Sequence, residues 1–251
     1  MNYFLKGLKI IFTIYSGILF ILSFFIMIPC YVIVFNFWNN ERAPHVAHRL
    51  TRFWAYLLFI IFLAKPKIKG KELIDKNETY VFVSNHRSQM DIPLAAASCK
   101  NTFRFLAKAE LIKAPLLGYM IKNLYITVAR SSKKDRSRSM DEMKKSMDEH
   151  ISVFLFPEGT RNKTEAPLID FHDGAFRLAI KTQKPLAVLT VIDTDKVLPP
   201  KGSQVIFPGI MHAEWSPPVD TRGMTEDDLP ELKNRVRKIM SDILERKILN
   251  R

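Results

Sequence analysis

The sequence predicts an α/β protein: a central mixed, mainly parallel sheet flanked by helices, preceded by an N-terminal helical segment suited to a membrane. Three observations carry this. Short runs rich in Val, Ile, Phe and Tyr recur along the chain, several of them continuously apolar, as strands covered on both faces are. Helical patterns fall between those runs, which is the alternation of an α/β sheet. Ahead of both lies a stretch without a single charge, from Ile10 to Asn40.

Ile10 to Phe37 is mostly Ile, Leu, Phe, Val and Tyr, and about 20 such residues cross a bilayer as a helix. Pro29 inside the run allows a kink or a break. A second apolar run, Phe53 to Ala64, is short for a span and reads as an interfacial or re-entrant helix. Trp38 and Trp54 stand where interfacial aromatics are placed. Lys6 and Lys9 flank one side of the first run. Arg42, Arg49, Arg52 and the lysines between Lys65 and Lys71 flank the other, so the positive-inside rule puts the following domain on the cytoplasmic side. Residues 1–65 are expected to form the membrane-embedded or interfacial segment and 66–251 the domain that does the chemistry.

In that domain the strand candidates are Tyr80–Val83, Phe103–Ala107, Tyr125–Val128, Ser152–Phe156, Leu186–Ile192, Gln204–Phe207 and Ile210–Trp215. Helical patterns cover Ile92–Cys99, Pro115–Ile121, Arg136–His150 and Phe171–Thr182. A last helix is announced by Thr225 with Asp228 three residues on, a start resembling a capping box. Leu232, Val236, Ile239, Met240, Ile243 and Leu244 then recur at helical spacing, a stripe suited to core packing.

The chain has 251 residues, 47% of them hydrophobic, and a net charge of +13. It has no Gly/Ser linker, low-complexity tract or internal repeat, so one domain with an N-terminal appendage is the simplest division. A charge this basic suits anionic lipid, nucleic acid or an acidic partner. The apolar start favours lipid, and no recognition helix, zinc pattern or RNA-stacking motif supports nucleic acid. Cys30 and Cys99 make neither a disulfide framework nor a metal cluster. No Gly-rich fingerprint points to a nucleotide cofactor.

Two short segments carry the chemistry. Asn85-His86-Arg87-Ser88-Gln89-Met90-Asp91 follows one strand candidate, and Phe156-Pro157-Glu158-Gly159-Thr160-Arg161 follows another. Sites in open α/β sheets are built at such strand ends. The first segment offers a His with a carboxylate in reach, a general base and its orienter. The second offers an acid, a flexible Gly, a hydroxyl and a fork-shaped cation suited to phosphate. Together they point to acyl transfer onto a hydroxyl of a phosphate-bearing acceptor. Five residues is a poor helical spacing, but Asp91 can fold back to His86 if His86 lies in a turn and Asp91 opens the helix before Pro93. With no Gly-x-Ser-x-Gly elbow, attack by the acceptor hydroxyl itself is favoured over a covalent acyl-enzyme.

His86 and Asp91 separated by four residues (an HX4D motif), with Phe156 to Arg161 further on, resemble the 1-acyl-glycerol-3-phosphate acyltransferase family. The resemblance runs from about Lys69 to Trp215 and takes in Lys108-Ala109-Glu110-Leu111, Arg130, and Phe171 to Phe176. It implies a glycerolipid-acyltransferase-like fold in which His86 and Asp91 are catalytic. It also implies acceptor binding by Glu158, Gly159, Thr160 and Arg161, with Arg130 and Lys108 as further contacts. No His, Cys or Glu spacing points to a metal. Glu158 either binds the acceptor, orients Arg161 or orders the turn. The reaction implied moves a fatty acyl chain from acyl-CoA or acyl carrier protein, a co-substrate rather than a resident cofactor, to the sn-2 hydroxyl of lysophosphatidic acid, giving phosphatidic acid at a lipid bilayer. The chain departs from the family at Asn123 to Val128 and at Val188, where a second proline is common. That keeps another lysolipid acceptor, such as a lyso-ornithine lipid, open. A non-catalytic membrane-binding protein on the same fold and a thioester or ester hydrolase are the other readings. Donor, chain length and oligomeric state are not legible in the sequence.

Overall fold

A computed structural model describes residues 3–129, 132–200 and 205–249. Helix α1 (Tyr3–Phe37) runs through Pro29 and is long and apolar enough to cross a membrane. Helix α2 (Ala43–Ile61) packs against it. It starts ten residues before the expected second apolar run, because only one of its faces is apolar and the run of hydrophobic letters understates its length. Tyr31 Oη lies 2.7 Å from Thr51 Oγ1, and the Trp54 indole N–H donates to Ser23 Oγ at 3.1 Å. At its other end α1 reaches the loop before the last strand, where Thr13 Oγ1 accepts the Ile206 N–H at 3.2 Å and Lys9 lies over the Phe207 ring.

The sheet follows: β1 (Ala64–Lys69), β2 (Val81–Ser84), helix α3 (Asp91–Ser98), β3 (Phe103–Lys108), α4 (Leu117–Leu124), β4 (Ile126–Val128), α5 (Lys133–Asp148), β5 (Ser152–Leu155), α6 (Gly174–Thr182), β6 (Leu186–Ile192), a short α7 (Thr194–Val197), β7 (Gly209–Trp215) and α8 (Leu229–Leu249). The strands stand in the order β1-β7-β6-β2-β5-β3-β4. Every pairing is parallel except β6 with β7, so the expected mixed, mainly parallel sheet is present.

Alternation along the central strands splits the core. Phe82, Phe154, Ala187 and Leu189 face the cluster built with α2 and α3. Val81, Val83, Val153, Leu155, Leu186 and Val188 face α5, α6 and α8. Period-2 alternation makes both faces apolar, which is why these strands read as continuous hydrophobic runs. Val188, the position that departs from the family, is wholly buried in the second cluster.

The basic flank over residues 65–69 forms most of β1, an edge strand with its three lysines exposed and Pro66 tolerated at the edge. Residue 65, where the expected division of the chain falls, lies within it. One expectation is corrected. The expected strand over 204–207 is absent among the described residues; Gln204 lies outside them. Its backbone bonds go elsewhere: the Phe207 N–H donates to Val197 O at 2.9 Å and that of Ile206 to α1. The capping box is formed, with the Thr225 N–H donating to Asp228 Oδ2 at 2.7 Å.

Candidate active site

Parallel strands end on the same edge, so β2, β5, β3 and β4, four neighbours, deliver their following residues in one row. β2 delivers His86, β5 delivers Phe156 to Arg161, and β3 ends on Lys108. The route past β4 leads to Arg130, which lies outside the described residues.

The His86 loop is held from several directions. Asn85 is buried and its amide closes on β6, donating to Val191 O at 2.9 Å and accepting the Val191 N–H at 2.8 Å. The chain then turns so that Asp91 opens α3. His86 Nδ1 lies 2.7 Å from Asp91 Oδ2, with side-chain exposures of 15% and 0%. The same oxygen accepts the N–H groups of Arg87 at 2.7 Å and Ser88 at 2.8 Å. One buried oxygen therefore fixes the turn and the imidazole together. Because a carboxylate only accepts, the proton sits on Nδ1 and leaves the Nε2 lone pair free. The ring stacks on Phe156, centroids 4.0 Å apart at 18°, and Phe156 rests in turn on Phe105 and Phe154.

Glu158 joins the two segments. It is buried, with Oε2 accepting the His86 N–H at 3.0 Å and Oε1 the Ile169 N–H at 3.3 Å. Gly159 turns with φ +68°, a conformation glycine adopts without penalty. The Asn162 N–H donates to His86 O at 2.6 Å, which fixes Arg161 one residue from a direct contact with the His86 loop. Arg161 is half-buried and Thr160 and Lys108 are exposed. Among the described residues no hydrogen bond or ion pair engages the Arg161 guanidinium. Among them, too, no group of three or more His, Cys, Asp or Glu is placed to hold a metal.

Sequence reasoning missed the groups that tie these loops from afar. Arg87 Nε lies 3.1 Å from Asp195 Oδ2, while its Nη1 donates to Ala166 O at 3.0 Å. Ser88 Oγ donates to Leu198 O at 2.7 Å. Asn162 organises the loop after the turn, donating to Ala166 O at 2.7 Å. No local pattern marks these partners: Ala166 lies between β5 and α6, and Asp195 and Leu198 lie beyond β6. His172 is exposed and contributes its backbone, its N–H donating to Pro157 O at 2.8 Å.

Burial pushes the Glu158 carboxyl up to about 7 from its usual 4.5; nearby Asp91 adds to this, and the His86 and Ile169 N–H groups and Arg87 oppose it. Between those values the folded protein holds a proton that the unfolded chain has released, so stability falls as pH rises across the interval. Glu158→Gln is expected to remove that slope. It also sets an amide donor against one of the two N–H groups, at a cost of about 1–3 kcal/mol. Thermal unfolding of both proteins across the interval checks this; parallel pH profiles would contradict it.

The chain is similar to known proteins, and its fold recurs among them. A chloroplastic 1-acyl-sn-glycerol-3-phosphate acyltransferase of Brassica napus is 31% identical over 202 residues, 79% of this chain and 56% of that one. The mouse 1-acyl-sn-glycerol-3-phosphate acyltransferase alpha is 29% identical over 183 residues, 71% of this chain and 63% of that one. The chain thus spans between about half and two thirds of the length of these relatives. The crystal structure of the 1-acyl-sn-glycerophosphate acyltransferase PlsC from Thermotoga maritima superposes with a TM-score of 0.82 at 24% identity, covering 96% of each chain, and so shares the fold. The family model described as Acyltransferase matches residues 65–192, from β1 to the end of β6. That stretch contains both the His86 loop and the Phe156–Arg161 turn, and by it this chain belongs to the acyltransferase family.

Proposed function

We propose that this chain transfers a fatty acyl group from a thioester donor, acyl-CoA or acyl carrier protein, to the sn-2 hydroxyl of 1-acyl-glycerol-3-phosphate, releasing phosphatidic acid. The observation that carries the reading is the His86–Asp91 pair at 2.7 Å, joined through Glu158 to the turn that bears Arg161. Similarity to relatives named for this reaction supports it.

In this mechanism His86 Nε2 takes the proton of the acceptor hydroxyl as its oxygen attacks the thioester carbonyl carbon. Asp91 holds the tautomer and balances the imidazolium that forms. Collapse of the tetrahedral intermediate breaks the C–S bond, and the departing thiolate takes the proton back from His86. No covalent acyl-enzyme is formed. Arg161 holds the acceptor phosphate with a fork of N–H donors, with Thr160, Lys108 and Arg130 alongside. Glu158 and Gly159 serve this binding by shaping the turn, since both Glu158 oxygens are engaged by backbone N–H groups. The exposed apolar surfaces of α1 and α2 lie in the bilayer, with the sheet on the cytoplasmic side.

A charge-assisted hydrogen bond contributes roughly 1.5–3 kcal/mol. Arg161→Ala is therefore expected to weaken acceptor use by about 10–150-fold, chiefly in KM where the contact is equally strong in ground and transition states. Steady-state kinetics with varied lysophosphatidic acid check this; an unchanged acceptor KM would remove Arg161 from the phosphate site.

A further inference from the structure

Between β3 and α4 the chain leaves apolar surface uncovered. Leu111, Ile112, Leu116 and Leu117 are 43%, 40%, 43% and 37% exposed. Away from α1, α2 and the loop that joins them, the other large apolar side chains this exposed among the described residues are Leu63, Leu73, Ile210 and Leu249, none of them within five residues of another in the sequence. Single exposed apolar residues are ordinary, whereas a contiguous group marks an interaction surface.

The segment has a built shape. A tight turn spans Ala109–Lys113, and the Gly118 N–H donates to Ala114 O at 2.7 Å. A Cβ on Gly118 would stand 2.0 Å from Ile112 O, so only glycine lets the chain close back on the turn. Leu116 is held at φ +60° and ψ −49°, a positive-φ conformation unfavourable for a leucine, closed by the Leu117 N–H donating to Pro115 O at 2.6 Å.

Its place in the fold selects its occupant. The knuckle leaves the end of β3, next to β5, on the edge that carries His86 and Arg161. Beyond it α4 buries Met120 and packs Leu124 against the α1–α2 cluster, so the knuckle belongs to the same body as the apolar helices. Lys108, Lys113 and Lys122 are exposed around it beside one exposed acid, Glu110, in a chain of net charge +13. Aliphatic side chains with a local excess of lysines suit the boundary between acyl chains and anionic headgroups.

We propose that the Leu111–Leu117 knuckle is a third membrane contact, inserted at the headgroup boundary of an anionic bilayer beside the mouth of the site. This rests on the membrane reading of α1 and α2 and extends it. An acceptor whose phosphate already lies at headgroup level then meets Arg161 without leaving the lipid.

The test uses the full chain carrying Cys30→Ser and Cys99→Ala, with one new cysteine, Ile112→Cys or Ile21→Cys, bearing an environment-sensitive fluorophore. Each labelled protein, its helical circular dichroism retained, is placed in vesicles of phosphatidylcholine and phosphatidylglycerol with or without nitroxide-labelled acyl chains. The expected result is blue-shifted emission and loss of most intensity to the nitroxide at both positions. A water-like signal at Ile112→Cys with quenching at Ile21→Cys would overturn this proposal and leave the membrane reading of α1 standing. No quenching at either position would overturn both. A water-like label at Ile112→Cys that becomes shielded only on adding acyl carrier protein would also overturn it, assigning the surface to the donor.

Discussion

Replacing His86 by alanine is expected to lower acyl transfer by about 10²–10⁴-fold, the range that a positioned general base contributes. The change removes the Nε2 lone pair that takes the acceptor proton. The loop itself should survive. Its backbone is held by the His86 N–H on Glu158, the His86 carbonyl on the Asn162 N–H, and the Arg87 and Ser88 N–H groups on Asp91; none of these passes through the imidazole. Initial rates and thermal unfolding measured side by side check this. Loss of the fold together with activity would mean that His86 acts as a structural residue.

Asp91→Asn is expected to lower the rate by a comparable factor of about 10²–10⁴ while costing little stability, because a neutral amide cannot balance the imidazolium. The Asn carbonyl oxygen can still accept the Arg87 and Ser88 N–H groups that Asp91 Oδ2 accepts. Asp91→Ala differs: it leaves those two N–H groups without their partner and is expected to destabilise by about 1–3 kcal/mol for each one left unsatisfied. The two substitutions thus separate the catalytic role from the structural one. Equal stabilities for Asp91→Asn and Asp91→Ala, or full activity in Asp91→Asn, would contradict the assignment.

The parts of this site legible in the sequence are those that act over short range. His86 and Asp91 are five residues apart, and a turn into a helix start is an arrangement that joins them. The structure has it, with Asp91 in the first turn of α3. Leu186–Ile192 is legible because both faces are buried and every residue except Thr190 is apolar. β1 was not, since an edge strand of alternating lysines has no hydrophobic run to mark it. Nor was the tie from Arg87 to Asp195, whose partners are brought together by the placement of β6 beside β2. Glu158 stands in the motif with its role open. Its burial against two backbone N–H groups is a property of the assembled loops that a six-residue motif cannot express.

The most direct test of the central claim is an acyl-transfer assay on membranes carrying this protein. Labelled acyl-CoA and, separately, labelled acyl carrier protein are supplied with and without lysophosphatidic acid. Label is expected to enter phosphatidic acid with at least one donor and only when the acceptor is present. Label released as free fatty acid without acceptor, or no phosphatidic acid from either donor with the folded protein, would contradict it.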